Sequence, residues 1–288
     1  MKDIIVCGTG AAGLCAAMYC ARGGADVLVL GDIPGGQTLN AHAIENYPGV
    51  EMTDGFSLME TMRKQALSSG AEIKTQKITE IDFDKKQVNG TPCKAIILAL
   101  GASHRKLGLP NEDSLVGKGV SYCATCDGNF FRGKTVAVAG GGNTALTDAL
   151  FLSKICKEVY LIHRRDTFKA EQTLIDKAEK TENIICFLNQ NVKEIKEENG
   201  RLSGIVTEKN VIKCDGLFVA IGTVPNISLL PQDMCNDKGV VVDTKMQTNI
   251  KGVFAAGDMT DTNQKQIVCA AGDGAKAAKS ALSYIQSL

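Results

Sequence analysis

The sequence predicts an α/β protein built from two nucleotide folds on parallel sheets, because one motif occurs in it twice. The stretch "DIIVCGTGAAGLCAAMYCAR" reads as an apolar strand at 4–7, a glycine turn and a helix at 11–22. The stretch "TVAVAGGGNTALTDALFLSK" repeats it, with a strand at 135–139, a glycine turn and a helix at 143–154. Apolar strands follow each unit, at 27–30 and 159–162. A strand, a helix and a second strand in that order form a βαβ unit, and two such units imply parallel sheets covered by helices.

The glycines of the two turns share one spacing: Gly8-x-Gly10-x-x-Gly13 and Gly140-x-Gly142-x-x-Ala145. The first glycine permits a tight turn, the second lets backbone approach a pyrophosphate, and the third small residue lets helix and strand pack closely. The helix that follows presents free N–H groups and partial positive charge to the phosphates. One such spacing is a weak signal, but two, each between a strand and a helix, predict two Rossmann-like dinucleotide-binding domains.

Composition narrows the function. Lys plus Arg and Asp plus Glu balance at 32 each, so no global field draws the chain to nucleic acid or an anionic membrane. No apolar run reaches the length of a membrane span. The opening "MKDIIVCGTG" has too short an apolar stretch for a signal peptide. These readings place the protein in the cytoplasm. Eleven cysteines, several within apolar runs (Cys7, Cys15, Cys20, Cys186, Cys269), fit buried thiols in a reducing compartment.

Only Cys123 and Cys126 stand one turn apart, in "SYCATCDGNFF". A four-cysteine zinc site needs a second close pair, and the sequence has none; His104 and His163 are remote. No metal is expected. A redox pair fits better, since a neighbour that lowers one thiol's pKa lets it attack as thiolate. Asp127 follows directly, placed either to exchange a proton with a sulfur or to cap the turn.

The end of the second strand in each unit reports on the ribose. An acid there bonds the 2′-hydroxyl, and a cation cluster there accommodates a 2′-phosphate. In the second unit "LIHRRD" puts His163, Arg164 and Arg165 at that place, with Lys169 one turn on, which favours NADP over NAD. In the first unit Gly31 ends the strand and Asp32 follows it. The long chain beyond that unit, including "VFAAGD", suggests a larger ligand, FAD, which suits hydride relay from a nicotinamide.

Taken together, "GTGAAG", "GGQ", "ENYPG", "CATCDG", "GGGNTA", "HRRDTFKAE", "FVAIGTVPN" and "VFAAGD" resemble the low-molecular-weight, bacterial-type thioredoxin reductases over nearly the whole chain. The resemblance implies an NADPH domain inserted into an FAD domain, the class II pyridine nucleotide-disulfide oxidoreductase arrangement. Its boundaries are expected at 1–113 and 241–288 for the FAD domain and 114–240 for the NADPH domain with the dithiol. For FAD it implies Gly8, Gly10, Ala11, Ala12 and Gly13 in the first turn, and Asp32, Gly36, Gln37 and Asn46 in the loops after it. Gly101, Gly257, Asp258, Lys265, Gln266 and Ile267 complete that set. For NADPH it implies Gly141, Gly142, Asn143 and Thr144, then His163, Arg164, Arg165 and Lys169, with Ile221 and Gly222.

By the same resemblance Cys126 is the sulfur nearest the flavin, Cys123 attacks an oxidised thioredoxin or thioredoxin-like protein, and Asp127 is the acid. A homodimer is implied as well. The chain departs from the family at Lys169, often arginine, at Gln264–Lys265, commonly an aromatic and an arginine, and at Asn129, where a phenylalanine is usual. Lys169 and Gln264–Lys265 keep open a same-fold reductase with a ferredoxin-type donor, and Asn129 bears on the surface that would dock thioredoxin. A small-molecule dithiol oxidase and a non-catalytic nucleotide-binding sensor are further alternatives.

Overall fold

The structure, a computed structural model, describes residues 1–41, 44–262 and 264–288. Its helices are α1 (Ala11–Arg22), α2 (Gly55–Ser68), α3 (Ala124–Asp127), α4 (Asn143–Ser153), α5 (Gln172–Glu179) and α6 (Ile267–Gln286). The chain divides into two compact units: Met1–Ser103 with Val224–Leu288, and His104–Thr223. Both crossings fall nearer the N-terminus than the expected 113/114 and 240/241. Near those positions glycines serve close packing and a turn. Gly119 gives way to Leu202, whose Cβ lies 2.4 Å from where its own Cβ would be. Asn236–Gly239 is a hairpin turn in which Asn236 Oδ1 accepts from the backbone of Lys238 and Gly239.

In the first unit parallel strands run in the order Glu72–Thr75, Val27–Gly31, Lys2–Cys7, Thr91–Leu98 and Val253–Ala255. Ile4 pairs with Val27 on one side and Ala95 on the other. The central stretches 4–7, 27–30, 95–98 and 253–255 are apolar and buried because both faces are covered, as parallel sheets require. The edge strand Glu72–Thr75 is largely exposed. Ile4, Val6, Val29 and Ile97 pack with Ala16, Ala17, Ala277 and Ala278 of α1 and α6. Ile5, Cys7, Leu28, Leu30 and Ile96 pack on the opposite side with Met234 and Met259. Each fully buried Ile, Leu or Val stabilises the sheet by about 1.5–3 kcal/mol. The alanine faces of α1 and α6 permit close approach, so the end of the chain returns to the first glycine turn. Gly274 has Ala12 O only 2.2 Å from its missing Cβ.

α2 is absent from the sequence reading. Its start is set by Asp54, whose carboxylate accepts from Ser57 N at 2.8 Å. Such a cap contributes about 1 kcal/mol. α6 begins at Ile267, with Gln266 as its cap residue.

In the second unit the parallel order is Ile184–Leu188, Glu158–His163, Thr135–Ala139, Gly216–Val219 and Val120–Ser121. α4 covers one face through Ala145, Leu146, Ala149 and Leu152. The other face is closed by an antiparallel sheet of Val192–Glu198, Arg201–Thr207 and Val211–Lys213, which contributes Ile195, Leu202, Ile205 and Ile212. The edge strand Val120–Ser121 delivers the chain to Cys123.

Candidate active site

The three glycines of the first turn are needed for different reasons. Gly8 has φ +126°, and a Cβ there would lie 2.0 Å from Ala99 O. A Cβ on Gly13 would lie 1.9 Å from Gly8 O, so helix and strand touch at that point. Gly10 meets nothing within 4 Å and caps α1 without a side-chain bond. Backbone thus fills the first and third positions, and the second faces open space with the N–H groups of α1 behind it. That arrangement fits a dinucleotide pyrophosphate.

Other chain segments converge there. The 33–36 loop is held by Thr9, which donates to Ile33 O at 2.8 Å and accepts from Gly35 N. This brings Gly36 over Gly10, a Cβ on the former lying 3.3 Å from the latter's Cα. Gly257, at φ +75°, lies against Ala12. Beside it burial raises the Asp258 carboxyl pKa, with Lys265 opposing and Asp273 adding to the rise. Burial lowers the Lys265 pKa, and its Nζ donates to Thr260 O at 2.6 Å. Asn46 donates to Gln266 Oε1 at 3.0 Å, beside Ile267 at the start of α6. Asp32 and Gln37 are exposed at the strand end and in the Gly36–Asn40 turn. Gly101, at φ +68°, has open space where its Cβ would be.

The second turn is built on the same plan with one addition. A Cβ on Gly140 would lie 2.4 Å from Ala220 O, and Gly142 has nothing closer than 3.9 Å. Between them Gly141 leaves room for His163, whose Nδ1 would be 2.1 Å from a Cβ. The ring is buried, stacks on Phe168 at 5.5 Å, and its Nε2 has no partner among the described residues. Burial lowers its pKa, the charges of Arg165 and Arg164 add to that, and a backbone hydrogen bond at Thr167 opposes it. Arg164, Arg165 and Lys169 are exposed. Their loop is fastened to the turn by Lys169 N, which donates to Gly141 O at 2.7 Å. Asn143 and Thr144 open α4. Ile221 and Gly222 follow the Gly216–Val219 strand and are exposed.

Cys123 and Cys126 are joined by a disulfide, their Cα atoms 5.3 Å apart. Cys123 is the cap residue of α3, and Cys126 N donates to its sulfur at 3.2 Å. A donor aimed at that sulfur favours its thiolate once the bond is reduced. α3 is seated on α4 through buried Ala124 and through Gly128, where a Cβ would lie 2.8 Å from Phe151.

With two nucleotide turns and a dithiol in place, the whole chain can be matched. A family model described as "Pyridine nucleotide-disulphide oxidoreductase" covers residues 2–274. The chain belongs to that family. As a pyridine nucleotide-disulphide oxidoreductase it has the family's two dinucleotide-binding domains. It is similar to the thioredoxin reductase of Treponema pallidum, 40% identical over 301 residues that span 99% of this chain and 98% of that protein. It is also 41% identical to a protein of Pseudomonas fluorescens named glucosaminate ammonia-lyase, over 99% of this chain and 96% of the other. The crystal structure of thioredoxin reductase from Streptococcus pyogenes superposes with a TM-score of 0.91 at 32% identity, covering 100% of this chain and 99% of that one.

Other polar groups around the dithiol of this oxidoreductase escaped the sequence reading. Ser121 bonds both Cys123 and Asp127. Glu112, 1% exposed, accepts from Leu107 N, Gly108 N and the Tyr122 hydroxyl at 2.8–3.0 Å. Tyr122 stacks on His104 at 5.0 Å, so the residue before Cys123 is held on two sides. No spacing rule marks these residues. Among the remaining cysteines, burial pushes Cys15, Cys93 and Cys156 up to about 11 and Cys20 and Cys214 up to about 12. Among the described residues no cluster of His, Cys, Asp and Glu is placed to hold a metal, and no helix is long and apolar enough to cross a membrane.

Proposed function

We propose that this protein is an NADPH-dependent, FAD-containing thioredoxin-disulfide reductase acting through Cys123 and Cys126. The observation that carries the reading is the Cys123–Cys126 disulfide, seated on the helix that follows an arginine-flanked glycine turn in one unit. Gly141, Gly142, Asn143 and Thr144 would hold the NADPH pyrophosphate, and Arg164 and Arg165 its 2′-phosphate, with Lys169 beside them. Gly8, Gly10 and Gly13, with Gly36, Asn46, Asp258 and Gln266, would hold FAD. Bound there, FAD supplies the two-electron carrier between nicotinamide and dithiol. The chain's own residues then act on the partner. Cys123 attacks the disulfide of a thioredoxin or thioredoxin-like protein, Asp127 gives a proton to the leaving thiolate, and Cys126 resolves the mixed disulfide. The resemblance to bacterial-type thioredoxin reductases adds the cytoplasm as location and a homodimer as assembly.

A lyase activity, such as the name of the Pseudomonas fluorescens relative describes, has no use for a thiol pair. A ferredoxin-type donor is the second reading, favoured by Lys169 standing where the family often has arginine. An anaerobic titration of the flavin-loaded protein, followed by flavin absorbance, separates the two. NADPH bleaches the flavin rapidly and NADH weakly if the proposal holds. No bleaching by either overturns the nicotinamide assignment.

A further inference from the structure

We infer that Ser121 is a positioning residue for the dithiol chemistry, a hydroxyl that lets Asp127 change protonation state without a change of geometry. The inference rests on the proposed role of Asp127 as proton donor. Ser121 is 3% exposed, so water does not compete for its bonds. Its oxygen accepts the backbone N–H of Cys123 at 3.1 Å. Its single proton has two acceptors in reach, Asp127 Oδ2 at 2.6 Å and the Cys123 carbonyl at 3.3 Å. When Asp127 is ionised, the proton points to Oδ2. When Oδ2 carries its own proton, that proton is donated to Ser121, whose hydroxyl turns to the Cys123 carbonyl. In both states the Cys123 N–H keeps its acceptor and the Ser121 hydroxyl keeps its bond to Asp127 Oδ2, so the change of protonation breaks neither contact.

Ser121 serves the exchange between the reduced dithiol and a substrate disulfide. The Cys123 thiolate forms a bond to one sulfur of the substrate disulfide, and the substrate S–S bond breaks. The departing sulfur leaves with the electron pair and takes the proton of Asp127, which becomes the carboxylate that Ser121 then bonds. Cys126 loses its proton to Asp127 as its sulfur displaces the second substrate thiolate from Cys123, and that thiolate takes the same proton. The dithiol is oxidised to the Cys123–Cys126 disulfide, and the substrate is reduced to two thiols.

Leaving-group dependence tests it. The flavin-loaded protein is reduced with dithiothreitol, desalted without air, and mixed with either 2-hydroxyethyl disulfide or 5,5′-dithiobis(2-nitrobenzoate). The alkyl thiolate needs a proton to leave and the aryl thiolate does not. Ser121→Ala should slow dithiol oxidation by the alkyl disulfide about tenfold, the worth of one bond to a charged group, and by the aryl disulfide less than about twofold. In an Asp127→Asn background, adding Ser121→Ala should slow the alkyl reaction no further. Equal slowing with both disulfides, or an additive loss in the double variant, overturns the inference. An alkyl rate unaffected by Asp127→Asn alone overturns the acid assignment itself, and the role of Ser121 with it.

Discussion

Asn143 and Glu171 hold each other twice: the Asn143 side-chain carbonyl accepts the Glu171 backbone N–H at 2.8 Å, and its amide donates to the Glu171 carboxylate at 3.1 Å. The first residue of α4 is thereby tied to the far end of the loop that carries Arg164, Arg165 and Lys169. The cations stand next to the second glycine turn because this clasp and the Lys169–Gly141 bond keep them there. Asn143→Ala removes two bonds, one to a carboxylate, worth together about 1–3 kcal/mol. Binding of adenosine 2′,5′-bisphosphate, measured by calorimetry, should weaken about five- to hundredfold. Unchanged affinity would show that the loop holds its place without the clasp.

In the proposed reading the arginine pair would set the choice of nucleotide. Both side chains are exposed and lie where an acid would bond a ribose hydroxyl. Replacing both with alanine should lower the preference for NADPH over NADH by about 10²-fold or more, since each charge-assisted bond contributes about 1.5–3 kcal/mol. The loss should lie in KM for NADPH, with kcat for disulfide reduction little changed. A variant that loses affinity for both nucleotides alike would place the arginines outside the 2′-phosphate site.

Neighbouring glycines should respond in opposite ways. At Gly8 a methyl group meets Ala99 O at 2.0 Å in a left-handed backbone, so Gly8→Ala should fail to fold or lose several kcal/mol. At Gly10 it meets nothing, and φ is −77°, an ordinary value for alanine. Gly10→Ala should keep a melting temperature near that of the parent apoprotein but purify with less bound flavin, because the methyl occupies the phosphate approach. Full flavin content in Gly10→Ala would move the pyrophosphate elsewhere.

These contrasts mark how far the sequence could be read. The two glycine turns were legible because each is flanked by an apolar strand and a helix, so three signals agree at one place. The dithiol was legible because a close pair among scattered cysteines is rare. α2 was not, because its face toward the core (Leu58, Met59, Met62, Ala66) is interrupted by polar residues and its cap is a lone Asp54. The strand Val192–Glu198 carries mostly charges and forms because Val192 and Ile195 alone reach the core. His163 reads beside two arginines as part of an exposed cation cluster, yet its ring is buried over Gly141, a tertiary contact that spacing does not encode. Ser121 and Glu112 act through hydrogen bonds whose partners have no fixed offset, so only coordinates reveal them.

Asp148 offers a stability test with a definite sign. Burial raises its carboxyl pKa to about 7, where an unfolded aspartate sits near 3.8. As pH rises from about 4 to 7 the unfolded chain has lost the proton while the folded one retains it, so folding loses stability across that window. Above pH 7 the penalty is constant. The gap bounds it at about 4 kcal/mol, and partial exposure of the side chain reduces what is measured. Asp148→Asn keeps the shape and removes the ionisation. Its melting temperature should exceed that of the parent by several degrees at pH 8 and by less at pH 5, with the difference vanishing near pH 4. An equal gain at pH 8 and pH 5 would assign the effect to packing, and a loss at pH 8 would mean the carboxylate is used in the folded protein.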